Sequence, residues 1–202
     1  IHVNPLPEAG LERFKHPQDY MKLDFKSTKL SDYHLQVKIG GDAALIKGLI
    51  KVHIELGGLD LDFINNSTTG FQSMCENARN TPWDRIVRDS GVDRALIEEV
   101  GSLCARSKAT IACWAMGLTQ HRNGVSVIQE VVNLLLIGGH VGRKGAGFCP
   151  VRGHSNVQGD RTVGIWEAPS DSFLDKMELG LKVALPRKHG YDVVNSIKAM
   201  DS

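Results

Sequence analysis

From Asp42 onward the apolar positions Ala43, Ala44, Leu45, Ile46, Leu49, Ile50, Val52, His53 and Leu56 recur at helical spacing until Gly57-Gly58 stops the run. The pattern predicts a helix that begins at Asp42, a natural N-cap. A second stripe of Leu96, Ile97, Val100, Leu103 and Cys104 predicts a helix over residues 93–106. The strongly apolar residues 124–137 predict a third. Weaker patterns suggest helices over residues 69–78, 82–88, 172–181 and 191–199, with Pro82 suited to a first helical turn.

Between the helices, shorter patterns read as strands. Ile1-His2-Val3 before Asn4-Pro5 resembles a strand tail stopped by a turn, and residues 36–39 alternate polar and apolar before Gly40-Gly41. Residues 109–115 form a nearly continuous apolar run, the mark of a strand buried on both faces of a parallel sheet. The run ends at residues 116–120, which read as a loop. Strand, helix, strand, loop and helix together predict an α/β class: a three-layer αβα domain with a mainly parallel, dinucleotide-binding-like sheet, plus irregular N- and C-terminal arms. The expected division is an arm from a neighbouring domain over 1–36, broken by Pro5, Pro7 and Pro17; an α/β domain over 37–150; and a loop with a connecting segment over 151–202. Ligands of open α/β sheets sit beyond the carboxyl ends of the strands, which directs attention to residues 4–6, 40–42 and 116–120.

Composition narrows the function classes. A chain of 202 residues buries enough surface to fold without a metal or disulfide staple. A net charge of +1 argues against a dedicated nucleic-acid binder. No apolar stretch approaches the roughly 20 residues of a membrane helix. Ile1 opens the chain with no charged-then-apolar leader, so a processed product or a piece of something longer is expected. Cys75, Cys104, Cys113 and Cys149 contain no C-x-x-C pair, so no metal site is read from them. They read as reduced thiols of a cytoplasmic protein.

Three segments carry candidate chemistry. After the apolar strand, Gly117 lets a ligand approach the backbone, while Thr119 and Gln120 offer neutral hydrogen-bonding groups. Eight of the glycines lie within residues 138–164, but neither a Walker loop nor a dinucleotide fingerprint is completed there. Then Arg152, His154, Ser155, Asn156 and Gln158 cluster within residues 150–159, with Gly153 and Gly159 allowing tight turns. Residues 140–161 hold Arg143, Lys144, Arg152 and Arg161 against Asp160 alone. That positive, polar loop in a neutral chain suits an anion, and an Arg fork suits a carboxylate or phosphate. Asp42 offers a carboxylate that could accept two N–H groups of a guanine edge, and an N-cap role explains it equally well.

In this order and at these separations the motifs resemble the molybdopterin oxidoreductases, which include formate dehydrogenases, nitrate reductases and dimethyl sulfoxide reductase. The likeness is greatest to formate dehydrogenase alpha subunits and the YdeP-like branch, and it covers roughly residues 37–164. It is strongest at Trp114-Ala115-Met116-Gly117-Leu118-Thr119-Gln120 and from Gly145-Ala146-Gly147 through Pro150-Val151-Arg152-Gly153-His154-Ser155-Asn156-Val157-Gln158-Gly159. Asn4-Pro5-Leu6 is similar to the family's strand-end turn, and Gly40-Gly41-Asp42 to its helix start. The resemblance implies a bis-molybdopterin guanine dinucleotide cofactor with molybdenum. Asn4, Leu6, Gly40 and Asp42 would serve its guanosine end. Met116, Gly117, Thr119 and Gln120 would serve the pterin and diphosphate, and His154, Ser155, Asn156, Val157, Gln158 and Gly159 would wrap the pterin. Arg152 would be catalytic, orienting the carboxylate of a substrate such as formate.

The family's molybdenum ligand and iron–sulfur cysteines precede the matching region, so the expectation is an internal fragment, inactive alone, of a molybdenum-dependent oxidoreductase. Its expected partners are a small-molecule substrate, the remaining domains of the parent chain and an electron-transfer subunit, with no nucleic acid and no membrane span. A second reading of the same loops is a non-catalytic guanine-nucleotide-binding α/β module. A third is an isolated chain that binds no cofactor.

Overall fold

The computed structural model describes residues 1–14, 27–166, 168–188 and 190–201, so part of the expected N-terminal arm, including Pro17, lies outside the described residues. The chain forms two compact units, Ile1–Val151 and Arg152–Ser202.

In the first unit the opening strand β1 (His2–Val3) is followed by α1 (Ala9–Glu12), β2 (Arg13–Phe14), β3 (Thr28–Lys29) and β4 (His34–Leu35). β2 and β3 pair antiparallel, whereas β1 pairs in parallel with β4, placing His2 opposite His34 and Val3 opposite Leu35. The strand expected over residues 36–39 therefore lies earlier in the chain. Its amides are committed elsewhere: Val37 N–H donates to the Leu35 carbonyl and Lys38 N–H to the Ser90 carbonyl. The alternation survives as burial, with Val37 inside and Ile39 outside, but no ladder forms.

A helical body follows: α2 (Asp42–Glu55), α3 (Leu61–Ser67), α4 (Phe71–Asn80), α5 (Trp83–Ser90) and α6 (Arg94–Arg106). After them come β5 (Ile111–Trp114), α7 (Met116–Thr119), α8 (Gly124–Ile137) and β6 (Gly147–Pro150). α2 is central, with α4, α5, α6 and α8 packed around it. Its Leu45 and Leu49 join Leu35, Val37, Ile86, Val92, Ile97 and Val100 in one core cluster. Its Ile50 and Ile54 join Ile64, Cys75, Ala78 and Ile137 in another. Gly101 allows α6 to approach α2, because a Cβ there would lie 2.7 Å from the Cβ of Val52. The buried Lys51 reaches the end of α4, donating to the carbonyls of Arg79 at 2.9 Å and Thr81 at 2.8 Å. His53 is also buried and engages the Gly58 carbonyl at 2.5 Å, a packing role that its place on the apolar stripe anticipates.

Three expectations need correction. Gly41, not Asp42, occupies the N-cap of α2, and Asp42 is the first helical residue with no side-chain capping bond. Gly41 is required there because a Cβ would sit 2.7 Å from the Asp89 carbonyl oxygen. Residues 116–120 are not a plain loop: α7 forms one helical turn, closed by Gln120 N–H to the Met116 carbonyl at 2.9 Å. Finally, β5 is not buried on both faces. Among the described residues it pairs only with β6, in parallel, and Ile111 is 56% exposed. On the opposite face Trp114 and Phe148 meet edge-to-face at 6.4 Å.

The second unit contains α9 (Val157–Thr162), α10 (Asp171–Leu181) and α11 (Val193–Met200). Arg187 holds the turn after α10, donating to Asp175 at 2.8 Å and Glu178 at 2.6 Å. The fold is thus mixed α/β, but among the described residues its strands form three two-stranded sheets, two of them parallel. No helix among the described residues is long and apolar enough to cross a membrane.

Candidate functional site

The turn after β1 is held rigidly. Asn4 N–H donates to the Leu35 carbonyl at 3.2 Å, Asn4 Nδ2 donates to the Leu6 carbonyl at 2.8 Å, and Gln36 Nε2 donates to the Pro5 carbonyl at 3.0 Å. The His34 ring lies 3.0 Å from the Asn4 carbonyl oxygen and stacks on His2 at 4.2 Å. Parallel pairing of β1 with β4 is what brings these distant segments together. Their junction lines an open cleft of about 670 Å³ bounded by Asn4, Pro5, Leu6, Gln36, Lys38 and Ile39 among others. The cleft wall runs directly into Gly40, which takes a left-handed φ of 81°, and then into Asp42. Leu6 is exposed, so the cleft presents an apolar surface beside amide and carbonyl groups.

Asp42 is half-buried. Burial holds its carboxyl above the ordinary carboxylate range, opposed by its own backbone amide and by the charge of His121. That influence of His121 connects the start of α2 with the segment between α7 and α8. Within the α7 turn, Thr119 Oγ1 donates to the Met116 carbonyl at 3.4 Å and Gln120 Nε2 approaches the Met116 sulfur at 3.7 Å. Met116 is exposed, and a Cβ on Gly117 would point into open space. Strand β5 delivers this turn at its carboxyl end, where α/β ligands are expected.

The polar segment of the second unit is solvent-exposed from Arg152 through Gln158. Arg152 Nη2 lies 3.5 Å from Gln158 Oε1, a long contact that leaves the guanidinium able to take a ligand. Asn156 precedes α9 and its amide covers Gly159, while Val157 opens that short helix. His154 and Ser155 make no side-chain hydrogen bond among the described residues and are exposed. The positive loop read from the sequence is less uniform than its composition: Arg143 closes the end of α8, donating to the Gly138 carbonyl at 2.8 Å and lying 2.9 Å from His140 Nδ1.

Two groupings escape a reading by spacing. His2, Glu12 and His34 place potential ligand atoms within 4.8 Å of one another. Cys113 and Cys149 stand opposite each other in the β5–β6 register although 36 residues separate them. Only strand pairing reveals either group, and two-residue strands and Gly-Phe-Cys-Pro leave almost no periodic signal.

No protein-family model matches the chain. An oxidoreductase of Mycobacterium tuberculosis is 42% identical over 206 residues, covering 99% of this chain and 26% of that protein. Protein YdeP of Escherichia coli K12 is 41% identical over 211 residues, again 99% of this chain and 28% of the relative. The F420-dependent formate dehydrogenase subunit alpha of Methanocaldococcus jannaschii is 34% identical over 138 residues, 68% of this chain and 20% of that subunit. Among solved structures, acetylene hydratase from Pelobacter acetylenicus superposes with a TM-score of 0.53 at 28% identity, over 57% of this chain and 16% of that one. The chain spans about a quarter of the length of the curated relatives it matches along nearly all of itself.

Proposed function

This chain belongs to the molybdopterin oxidoreductase family, and we propose that its loops line a bis-molybdopterin guanine dinucleotide site in an enzyme that oxidises formate or a similar small oxyacid. When bound, that group would supply the redox centre for a two-electron oxidation. The chain's own residues position and hold. In this reading Asn4, Leu6, Gly40 and Asp42 receive the guanosine end, with the Asp42 carboxylate accepting N–H groups of the base. Met116, Gly117, Thr119 and Gln120 hold the diphosphate and pterin, and residues 154–159 line the pterin. Arg152 binds the substrate carboxylate and sets its orientation, since a planar fork can bond both oxygens.

The observation that carries the reading is the cleft formed where the Asn4–Leu6 turn meets the chain leading to Gly40 and Asp42. It offers the exposed Leu6 side chain beside polar groups of Asn4, Gln36 and Lys38, with the half-buried Asp42 carboxylate three residues after the lining Ile39, a combination that suits a purine. The exposed α7 turn, with open space at Gly117, fits a close-lying pyrophosphate. A three-layer αβα arrangement in the whole protein fits the two parallel strand pairs, with residues 37–150 as its cofactor-binding part and residues 151–202 as active-site loop and connection. We place the enzyme in the cytoplasm with an electron-transfer partner and an iron–sulfur cluster elsewhere in the same protein.

The test is chemical analysis of the intact protein. Denatured wild type is expected to release guanine nucleotide and to contain molybdenum, and Asp42→Asn and Asn4→Ala to retain less of both. A folded intact protein with neither would sink the proposal. Guanine nucleotide without molybdenum would favour the non-catalytic module instead.

A further inference from the structure

Residues in register on parallel strands project to the same face, and neighbouring strands lie roughly 4.8 Å apart. For Cys113 opposite Cys149, that spacing lies within the roughly 4.4–6.8 Å that a disulfide bridges between Cα atoms. Both thiols are free and exposed, whereas Cys75 is buried and Cys104 half-buried. They occupy the face that carries the exposed Ile111, opposite the Trp114–Phe148 pair.

We propose that Cys113 and Cys149 are an oxidisable dithiol, a modification site at which a peroxide converts two thiols into one cross-strand disulfide. One thiolate attacks a peroxide oxygen, the O–O bond breaks, and a sulfenic acid forms. The second thiolate attacks that sulfur, the S–S bond forms, and the hydroxyl leaves. With the two thiol protons, the products are one disulfide and two waters, and the peroxide receives the two electrons. Desolvation, and then the adjacent Cys149 thiol, raise the pKa of Cys113.

The placement gives the bond a consequence. Cys113 stands three residues before Met116, and Cys149 three before Arg152. A staple here would fix the strand ends that lead into the two segments assigned above to cofactor and substrate, and this consequence alone rests on that assignment.

The intact protein, reduced and then exposed to hydrogen peroxide under native conditions, would be alkylated and digested with trypsin without reduction. The expected product joins residues 109–122 to residues 145–152 within one chain, and dithiothreitol reverses it. Cys113→Ser or Cys149→Ser removes that product. Wild type also binds one phenylarsine oxide per chain in competition with the disulfide, a readout that needs no variant. Two alkylated thiols after oxidation, links to Cys75 or Cys104, or links only between chains would overturn the dithiol. Failure of the cofactor reading would appear separately, as missing molybdenum and guanine nucleotide with the linked peptide still formed.

Discussion

The Lys51 ammonium lies 2.8 Å from the Thr81 carbonyl oxygen and 2.9 Å from that of Arg79, with the Trp83 ring 5.7 Å away. One buried cation thereby satisfies the unpaired carbonyls that end α4 and joins that end to α2. Lys51→Met keeps most of the apolar stem but strands both acceptors, so it is expected to lower stability by about 2–3 kcal/mol. Denaturant unfolding of the intact protein measures this, and an unchanged midpoint would refute the role.

Gly101 faces Val52 where α6 crosses α2. Alanine there gains up to about 1 kcal/mol of helix propensity, yet its methyl needs space that Val52 fills. Gly101→Ala is expected to cost about 1–2 kcal/mol net, and adding Val52→Ala is expected to cost less than the sum of the single changes. Strict additivity in a double-mutant cycle would show that the helices do not meet tightly at this point.

Three histidines set an acid limit. Burial is the first cause that lowers the pKa of His2, His53 and His140 from the ordinary 6.5. Each folded side chain stays neutral at a pH where its unfolded counterpart already binds a proton. The unfolded state therefore takes up more protons below about 6.5, and stability is expected to fall as pH drops from 7 towards 5. Unfolding free energies measured across that window test the sign, and a flat or rising profile towards acid would contradict it. Asp42 acts oppositely, because burial raises its pKa and the folded state then holds a proton that the unfolded state has released.

Asp42→Asn separates stability from binding. Its ionised carboxyl is costly at neutral pH because it is half-buried, so the amide is expected to leave the melting temperature equal or higher. Guanine nucleotide retention should fall in the same sample. A lower melting temperature with unaltered nucleotide would assign Asp42 to structure alone.

Arg152 is exposed, so Arg152→Ala is expected to change stability by less than about 0.5 kcal/mol. If it orients a carboxylate, kcat/KM of the intact enzyme falls by about a hundredfold or more. Arg152→Lys should recover only part, because an ammonium cannot bond both oxygens in a plane. Unchanged kinetics would remove Arg152 from the reaction.

The parts of the fold that were legible in the sequence are those with a full amphipathic period. α2, α6 and α8 can be read from Leu45, Leu49, Ile97, Val100, Val131 and Leu135 because their buried faces repeat over several turns. The cap of α2 was not, since Asp42 suits a cap by chemistry while the close Asp89 carbonyl requires Gly41 to take that place. The apolar run at 109–115 records side-chain character and cannot say what covers it, which is why Ile111 proved exposed. The motif segments at residues 4–6 and 116–120 were found by their order along the chain, and only the first of them lines the open cleft described above. The Cys113–Cys149 pairing was not legible, because register across a parallel pair is set by the intervening crossover and not by spacing.

That crossover also bears on how the chain folds. The Ile111–Gly147 register closes across a connection of 32 residues, 115–146, that includes all of α8, whereas α2, α5 and α6 follow one another more closely along the chain. Because loop closure is an entropic cost that must precede the contacts it permits, amides of β5 and β6 should gain protection from exchange later in refolding than those of α2. The seam between those two strands is therefore a late event in the chain's history, completed on a helical body already in place.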